Sequence, residues 1–503
     1  MTSPTTSLWL DGTPRLPSDP FVPDTEYDDV VVGAGLTGLV TAVLLTRAGR
    51  RVAVLERRYA GAVTTGNTTA KISLLQGTVY SRLLRYHSRN VAVAYLDSNR
   101  EAFSWLMSYC DEHAVPVQRR DAYTYASTEA GASAVREEFE AARRVGLEVT
   151  RGLEEDLPFG VTDAIRLPDQ AQFDPLDLLR VLAADLRSGG GVLVEDCPVT
   201  DLKLGDRVRL STPAGPVSAG QVVLATGLPF ADRGLYFAKV TPERSYAMSF
   251  AVPGPIPAGM YLSADQPTRS LRTAPDGAGE LLLVGGNGHP VGRHPRPPSE
   301  LVADLRRWTQ EWFPGAEQRH VWSAQDYASH NGVPFVGKLP RGGGKVFVAT
   351  GYSKWGMTNA VAAGLRLSSE VAGVEPYGWA RTLGTRVSKP ASGLRTAQAN
   401  LAVGAAAVQG WAQAELHPLS EQDRRPAEGQ GVVGQLAGRP VAVSTVDGRT
   451  CAVSAVCTHL GGVLRFNDLE KSWDCPLHGS RFAADGAVLE GPATEPLAER
   501  ALD

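Results

Sequence analysis

The sequence predicts an α/β domain combined with a mixed α+β region and followed by a small all-β domain, and three observations predict it. A β-α-β pattern about thirty residues into the chain brackets the glycines Gly33, Gly35 and Gly38. Two later segments, QVVLATG at 221–227 and KVFVATG at 345–351, repeat the pattern of an apolar β-branched run ending in glycine, with Gly227 and Gly351 closing them. After about residue 425, short strands alternate with Gly and Asp turns (RPVAVSTVDGRTCAVSAV), the texture of an all-β unit.

Taken in order, DVVVGA at 29–34 is a buried strand, and Leu36, Leu39, Val40, Val43 and Leu44 recur at helical spacing until Gly49 offers a C-cap. RVAVLE at 51–56 is the second strand and ends in Glu56. A helix is expected over 88–110, a strand at AYTYAS (122–127), and a helix capped by Asp174-Pro175 that runs to about Arg187. The small residues from Met357 to about Ala372 form another helix, and 393–415 a further one within an Ala-, Ser-, Pro- and Arg-rich connecting arm. The expected organisation is an oxidoreductase-sized unit over 1–385 with an insert at about 90–330, a helical linker over 386–425 and a C-terminal domain over 426–503. No internal repeat is present.

Composition narrows the function classes. Fifty Lys and Arg against 54 Asp and Glu leave a net charge of −4, so there is no global basic field to gather nucleic acid or anionic lipid. No apolar run reaches the roughly 20 residues of a membrane span, and the first basic residue is Arg15, which lacks the charged start of a signal peptide. Five Cys are a poor disulfide framework for a chain of 503 residues, and the expected compartment is the cytoplasm. Cys110, Cys197 and Cys451 belong to no motif and are expected to be buried small hydrophobes.

Gly33-x-Gly35-x-x-Gly38 at a strand-to-helix turn allows a tight turn, a close backbone approach to a pyrophosphate and close helix-sheet packing, with the helix N-terminus facing the anion. Glu56, about twenty residues on, stands where a carboxylate accepts from an adenosine ribose hydroxyl. Spacing alone does not choose between FAD and NAD. Only one such fingerprint is present, which disfavours direct nicotinamide use. At the other end of the chain, Cys457-Thr-His459 and Cys475-Pro-Leu-His478 each place one thiolate and one imidazole in a loop, fifteen residues apart. Two such loops can clamp a 2Fe-2S centre of the Rieske kind, two thiolates on one iron and two imidazoles on the other. Four mixed ligands also suit zinc, although zinc motifs usually space their Cys by two to four residues.

DDVVVGAGLTGLVTAVLLTRAGRRVAVLER, TTGNTTAK at 64–71, QVVLATG, VWSAQDYASHNGVPFVGKL at 321–339 and VATGYSKWGMT at 348–358, together with SLWLD near the N-terminus, resemble the FAD-dependent oxidoreductases of the D-amino-acid oxidase and glycine oxidase type. The resemblance implies a Rossmann-like FAD-binding domain with a mixed α+β substrate domain. It implies that Thr68, Thr69, Ala70 and Lys71 contact the flavin, and that the backbone of Val199 holds the adenine. The loop from Gly351 to Thr358, with Lys354, Trp355, Gly356 and Met357, would close over the isoalloxazine. In that family an Arg on a sheet facing the flavin often binds a substrate carboxylate, and Arg272 in SLRTAP is the candidate; a surface strand arginine is the alternative. Lys71 and Lys354 could polarise flavin or substrate, whereas a phosphate or backbone contact explains either equally well; His289 in GGNGHPVG reads as a turn residue. Tyr123, Tyr125, Tyr246 and Tyr261 mark the substrate domain.

CTHLGG, WDCPLHGSRF and LEGPA at 489–493 resemble the three loops of a Rieske domain over roughly 426–503. Respiratory Rieske domains link their loops with a disulfide, and those two positions here are Gly462 and Leu477. Ser480 matches a hydroxyl that bonds a bridging sulfide, while a Tyr that often adds a second bond is Phe482, which implies a potential below the top of the Rieske range. FAD and a 2Fe-2S cluster in one chain imply a relay. A small amine- or amino-acid-like substrate would be oxidised, with electrons leaving through the cluster to an external one-electron carrier. The alternative is an electron-transfer adapter or reductase in which the cluster feeds the flavin. A Rieske oxygenase would add a mononuclear iron site, and the nine His show no constellation for one.

Overall fold

The parallel sheet is built on valines. Val30–Val32, Val52–Leu55, Val222–Leu224 and Val346–Val348 are buried on both faces, as strands sandwiched between helices must be. In the computed structural model, which describes residues 5–153, 157–277 and 279–502, these strands pair in parallel register, Val30 with Ala53 and Val222, and Val222 with Val346. The sheet runs 335–338, 346–350, 215–224, 26–32, 52–55, 192–194, and the hairpin 201–203/208–212 branches from the first half of the interior strand 215–224. Helices Leu36–Arg47 and Gly356–Ala372 pack together on it. Helix Pro175–Ser188 follows the capping Asp174, whose carboxylate accepts from Leu176 N, as expected.

The second sheet has nine strands in the order 317–329, 240–251, 279–290, 269–276, 260–263, 117–126, 163–173 and 71–72, with 150–151 beside 163–173. All its pairings are antiparallel except 260–263 against 117–126. The expected single insert at about 90–330 is therefore two segments. Residues 71–173 and 240–329 make this sheet, whereas 175–224 returns to the parallel sheet as a helix and four strands. Apolar patterning reads strands and helices but not which sheet a strand joins, because that is set by crossovers the local pattern does not record. Helix 88–110 of the expectation is Arg89–Glu112, and the arm helix 393–415 is Pro390–Leu416.

The C-terminal region folds as two antiparallel sheets, 430–436/439–446/449–454 and 465–467/472–474/481–483/488–490. Among the described residues no helix is long and apolar enough to cross a membrane. Cys110 and Cys197 are buried as expected, but Cys451 is only half-buried, because it lies on the outermost strand of the three-stranded sheet.

The first turn of the parallel sheet is the tightest joint. Gly33 has φ +106°, and a Cβ there would lie 2.6 Å from Ala225 O; a Cβ at Gly38 would lie 1.9 Å from Gly33 O. Both are backbone collisions with no side chain to give way. Gly38→Ala is expected to lower unfolding stability by about 2–3 kcal/mol and to be seen as a fall in Tm with loss of bound FAD in the visible spectrum; a Tm unchanged from the parent would contradict this packing.

Candidate functional site

The strand ending at Val32 and the helix starting at Leu36 present their junction to a cavity of about 710 Å³ that runs on between the two sheets. Leu36 N is capped by Thr65 Oγ1 (3.2 Å), so the first turn of the helix faces the cavity with its N–H dipoles. Glu56 accepts from Ala34 N (2.8 Å) and Arg58 N (2.9 Å), and burial raises its pKa against the pull of those two N–H groups. Each carboxylate oxygen keeps a lone pair for a ribose hydroxyl. Gly33, Gly35, Glu56, Val199, Gly227 and Gly351 all line this half of the cavity. Gly38 does not, and serves the helix-strand packing instead. The donor set and the side-chain-free turn fit an FAD pyrophosphate and ribose.

The loop 64–70 is held from behind. Trp9 Nε1 donates to Thr68 O (2.7 Å), Trp322 Nε1 to Asn67 O (2.8 Å), and Arg272 Nη1 to Thr69 O (2.5 Å) and Ala70 O (3.1 Å). Thr68, Thr69 and Lys71 line the cavity, while Ala70, at φ +51°, is fully buried and turned away. Arg272 is also absent from the cavity wall, which corrects its expected role. It shares a strand face with Ser270, but its guanidinium folds down on the loop carbonyls and on Trp9. It holds the loop 64–70 in place through the Thr69 and Ala70 carbonyls.

Lys71 is half-buried, and its Nζ donates to Tyr261 O (2.8 Å) and Ser270 Oγ (2.5 Å). Burial first, and then the charge of Arg272, draw its pKa down to about 7. Lys354 instead pairs with Glu243 (3.3 Å) at a half-exposed position. Its backbone N donates to the buried carboxylate of Asp326, whose pKa is raised to about 6 by burial against that N–H and the one from Tyr327. Trp355, Gly356 and Met357 line the cavity; Thr358 does not. The Thr358 hydroxyl donates to Asn99 Oδ1 (2.5 Å) and accepts from Gln76 (3.2 Å), so it locks the glycine-loop helix to helix Arg89–Glu112. His289 lies in strand Gly279–Pro290 and not in a turn; its Nε2 is 3.0 Å from Tyr246 Oη, and burial lowers its pKa.

One cavity residue carried no motif. Arg82, on helix Val79–Tyr86, reaches the cavity with a buried Nε that has no partner, and among the described residues no carboxylate lies within ion-pair distance of it. Burial lowers its pKa, with Arg395 adding to the effect.

In the C-terminal domain, Cys457, His459, Cys475 and His478 meet at the tips of two loops. The thiols are hydrogen-bonded to each other, which draws Cys457 down to about 7 and pushes Cys475 up. The imidazoles lie 5.2 Å apart at 87°, and His478 Nδ1 is buried without a partner. No three donors among the described residues converge on one point. A thiol pair facing an imidazole pair fits a two-iron cluster, with an iron for each pair, better than a single ion. At the expected disulfide positions, a Cβ on Gly462 would sit 2.6 Å from Leu477 Cγ, so the leucine side chain fills the space between the loops. Ser480 Oγ bonds the Cys457 thiol and accepts from Ala493 N (3.0 Å).

The two sites adjoin. Residues 489–494 of the C-terminal domain form part of the cavity wall. Tyr327, which lines the cavity beside Gly227, donates from its hydroxyl to Gly491 O (3.4 Å), and Gln325 Nε2 donates to Gly479 O (2.8 Å). Phe237 packs its ring 4.9 Å from His478 and 6.3 Å from His459. Arg244, 2% exposed, pairs with Glu470 (2.6 Å) and Glu490 (3.5 Å) across the boundary.

Comparison with known proteins agrees with both halves. The FAD dependent oxidoreductase (DAO) family profile matches residues 28–370, and the Rieske [2Fe-2S] domain profile matches 416–500. A Bacillus subtilis (strain 168) protein named as a Rieske 2Fe-2S iron-sulfur protein, YhfW, is 34% identical over 99% of this chain and 98% of its own. The cytochrome b6-f complex iron-sulfur subunit 3 of Nostoc sp. (strain PCC 7120) is 39% identical over 16% of this chain and 47% of its own. The crystal structure of glycine oxidase from Geobacillus kaustophilus superposes with a TM-score of 0.59 at 22% identity, covering 70% of this chain and 96% of that one, and so shares the fold. The turn at Gly33, the acid at Glu56 and the paired Cys and His loops thus belong to one chain of known kind: the protein is a member of the DAO family of FAD-dependent oxidoreductases that carries a C-terminal Rieske domain and binds FAD and a 2Fe-2S cluster.

Proposed function

We propose that the protein is a dehydrogenase of a small amine- or amino-acid-like substrate that passes its electrons through the Rieske cluster to an external one-electron carrier. The observation that carries this reading is the shared wall: one cavity of about 710 Å³ is lined by the glycine turn, by Lys71 and Arg82, and by residues 489–494 of the cluster domain itself. An adapter between carriers has no use for a cavity wall that carries Lys71 and Arg82. When bound, the flavin supplies a two-electron acceptor and the cluster a one-electron relay.

The side chains suit an amino-acid-like ligand. Arg82 is a half-buried cation on the cavity wall whose Nε has no partner and which has no carboxylate within ion-pair distance among the described residues, and a substrate carboxylate supplies one. At neutral pH Lys71 is near its titration point. A neutral amine has two N–H donors, which Tyr261 O and Ser270 Oγ engage, and its lone pair remains to take the proton of a substrate ammonium. An amine must lose that proton before its C–H can leave as hydride. Burial that lowers the Lys71 pKa thus matches the group to its work.

Mixing the oxidised protein anaerobically with a panel of amines and amino acids in a stopped-flow spectrometer tests the order of events. Flavin bleaching is expected first and cluster reduction second; a panel that bleaches nothing, with flavin reduced only after the cluster by a reduced ferredoxin, would overturn the dehydrogenase reading. The flavin-reduction rate of the parent should rise about tenfold per pH unit below 7 and level above it, since Lys71 must be unprotonated to act, and Lys71→Met should flatten the profile. Arg82→Ala is expected to weaken a carboxylate-bearing substrate about 30-fold, about 2 kcal/mol for a charged hydrogen bond, while a carboxylate-free amine loses no affinity by the same titration.

A further inference from the structure

Among the described residues, the segment 489–494 is the one part of the Rieske domain that lines the flavin cavity. Gly491 is bonded to Tyr327, whose ring would be 2.8 Å from a Cβ on Gly227 in the nucleotide loop. Just beyond the segment, Glu495 acts electrostatically on Arg57, the neighbour of the ribose acid Glu56. From the flavin-domain side the segment is gripped by Arg244, which pairs with Glu490. The contact beside it is closed to side chains: a Cβ on Gly292 would lie 2.8 Å from Pro476 Cα.

The same segment is held from below by both cluster loops. Ser480, two residues after His478, accepts from Ala493 N (3.0 Å) within the segment, and Thr458, between Cys457 and His459, donates to the carbonyl of Glu495 (2.8 Å), the residue that follows it. Whatever orders the two ligand loops therefore orders the segment above the FAD cleft.

We propose that residues 489–494 are a lid of the FAD site, and that through Ser480 and Thr458 this lid couples cluster assembly to FAD retention. FAD leaves the cleft only when the lid lifts, and the lid lifts more readily when the cluster loops are unliganded. The coupling is reciprocal, so bound FAD also favours the loop arrangement that holds the cluster. This inference concerns cofactor binding and stands whether or not the substrate reading above is right.

Two full-length variants test it, read by the rise of free-FAD fluorescence on dilution and by hydrogen exchange over 489–494. Arg244→Met keeps the side-chain bulk and leaves Glu490 without its partner from the flavin domain, with the cluster monitored by its Rieske EPR signal. Cys457→Ser removes a cluster ligand. Faster FAD release by tenfold or more is expected in both, with raised exchange over 489–494. Release within twofold of the parent in both overturns the proposal. Acceleration in Arg244→Met alone overturns the coupling and leaves the lid; acceleration in Cys457→Ser alone overturns the lid, since loss of domain structure then accounts for it.

Discussion

The arrangement of the two cofactor sites depends on a buried knot of charge at the domain boundary. Arg244 from the large sheet and Arg481 from the Rieske domain share Glu470 and Glu490, and Arg481 also pairs with Asp474. Burial pushes Glu490 up, with the two guanidiniums opposing; at Asp474 the same burial is more than offset by Arg481 and Arg244, and its pKa is held below the usual range. Such a network contributes little net stability over an apolar contact of equal shape, because desolvation costs about as much as the pairing returns. Its contribution is selectivity. Sliding the Rieske domain by one residue would strand Arg244 without its two carboxylates, at a cost of about 3–5 kcal/mol for a broken buried pair, while Arg481 would keep Glu470, Asp474 and Glu490 within its own domain.

That selectivity is what a relay needs. The domains are held by directional bonds to backbone atoms, Gln325 to Gly479 O and Tyr327 to Gly491 O, and these fix the loops that carry the cluster and cover the cleft. The helix Pro390–Leu416 adds a strut: Lys389 is tied to Tyr86 O, Asn400 to Ala238 O and Trp411 to Gly461 O. The single chain thus reaches the cluster from above, through the cavity wall, and from the side, through the arm.

Much of this was legible in the sequence because the chemistry is local. The turn at Gly33, the acid at Glu56 and the two Cys and His loops each rest on a few adjacent residues whose spacing is the signal. What escaped is long-range. Arg272 sits on the expected strand, yet its role turned on where a long, flexible side chain folds, and it went to the Thr69 and Ala70 carbonyls. Arg82 carries no motif, and its place on the cavity wall with an unpartnered Nε is set by tertiary packing, which no single sequence displays. The division of 90–330 between two sheets, and the seating of 489–494 on the other domain's cleft, are matters of topology and docking that hydrophobic periodicity does not encode.

The contact of Leu477 with Gly462 has a consequence of its own. Where other Rieske loops are joined by a covalent bond between sulfurs, these are joined by a hydrocarbon side chain seated on a glycine. Thiol reductants have no bond there to cut, and folding of this tip requires no oxidant. The strength of such a clasp comes from water excluded around it, and it weakens on cooling. The clasp between the two loops is therefore indifferent to thiol reductants and most easily loosened in the cold.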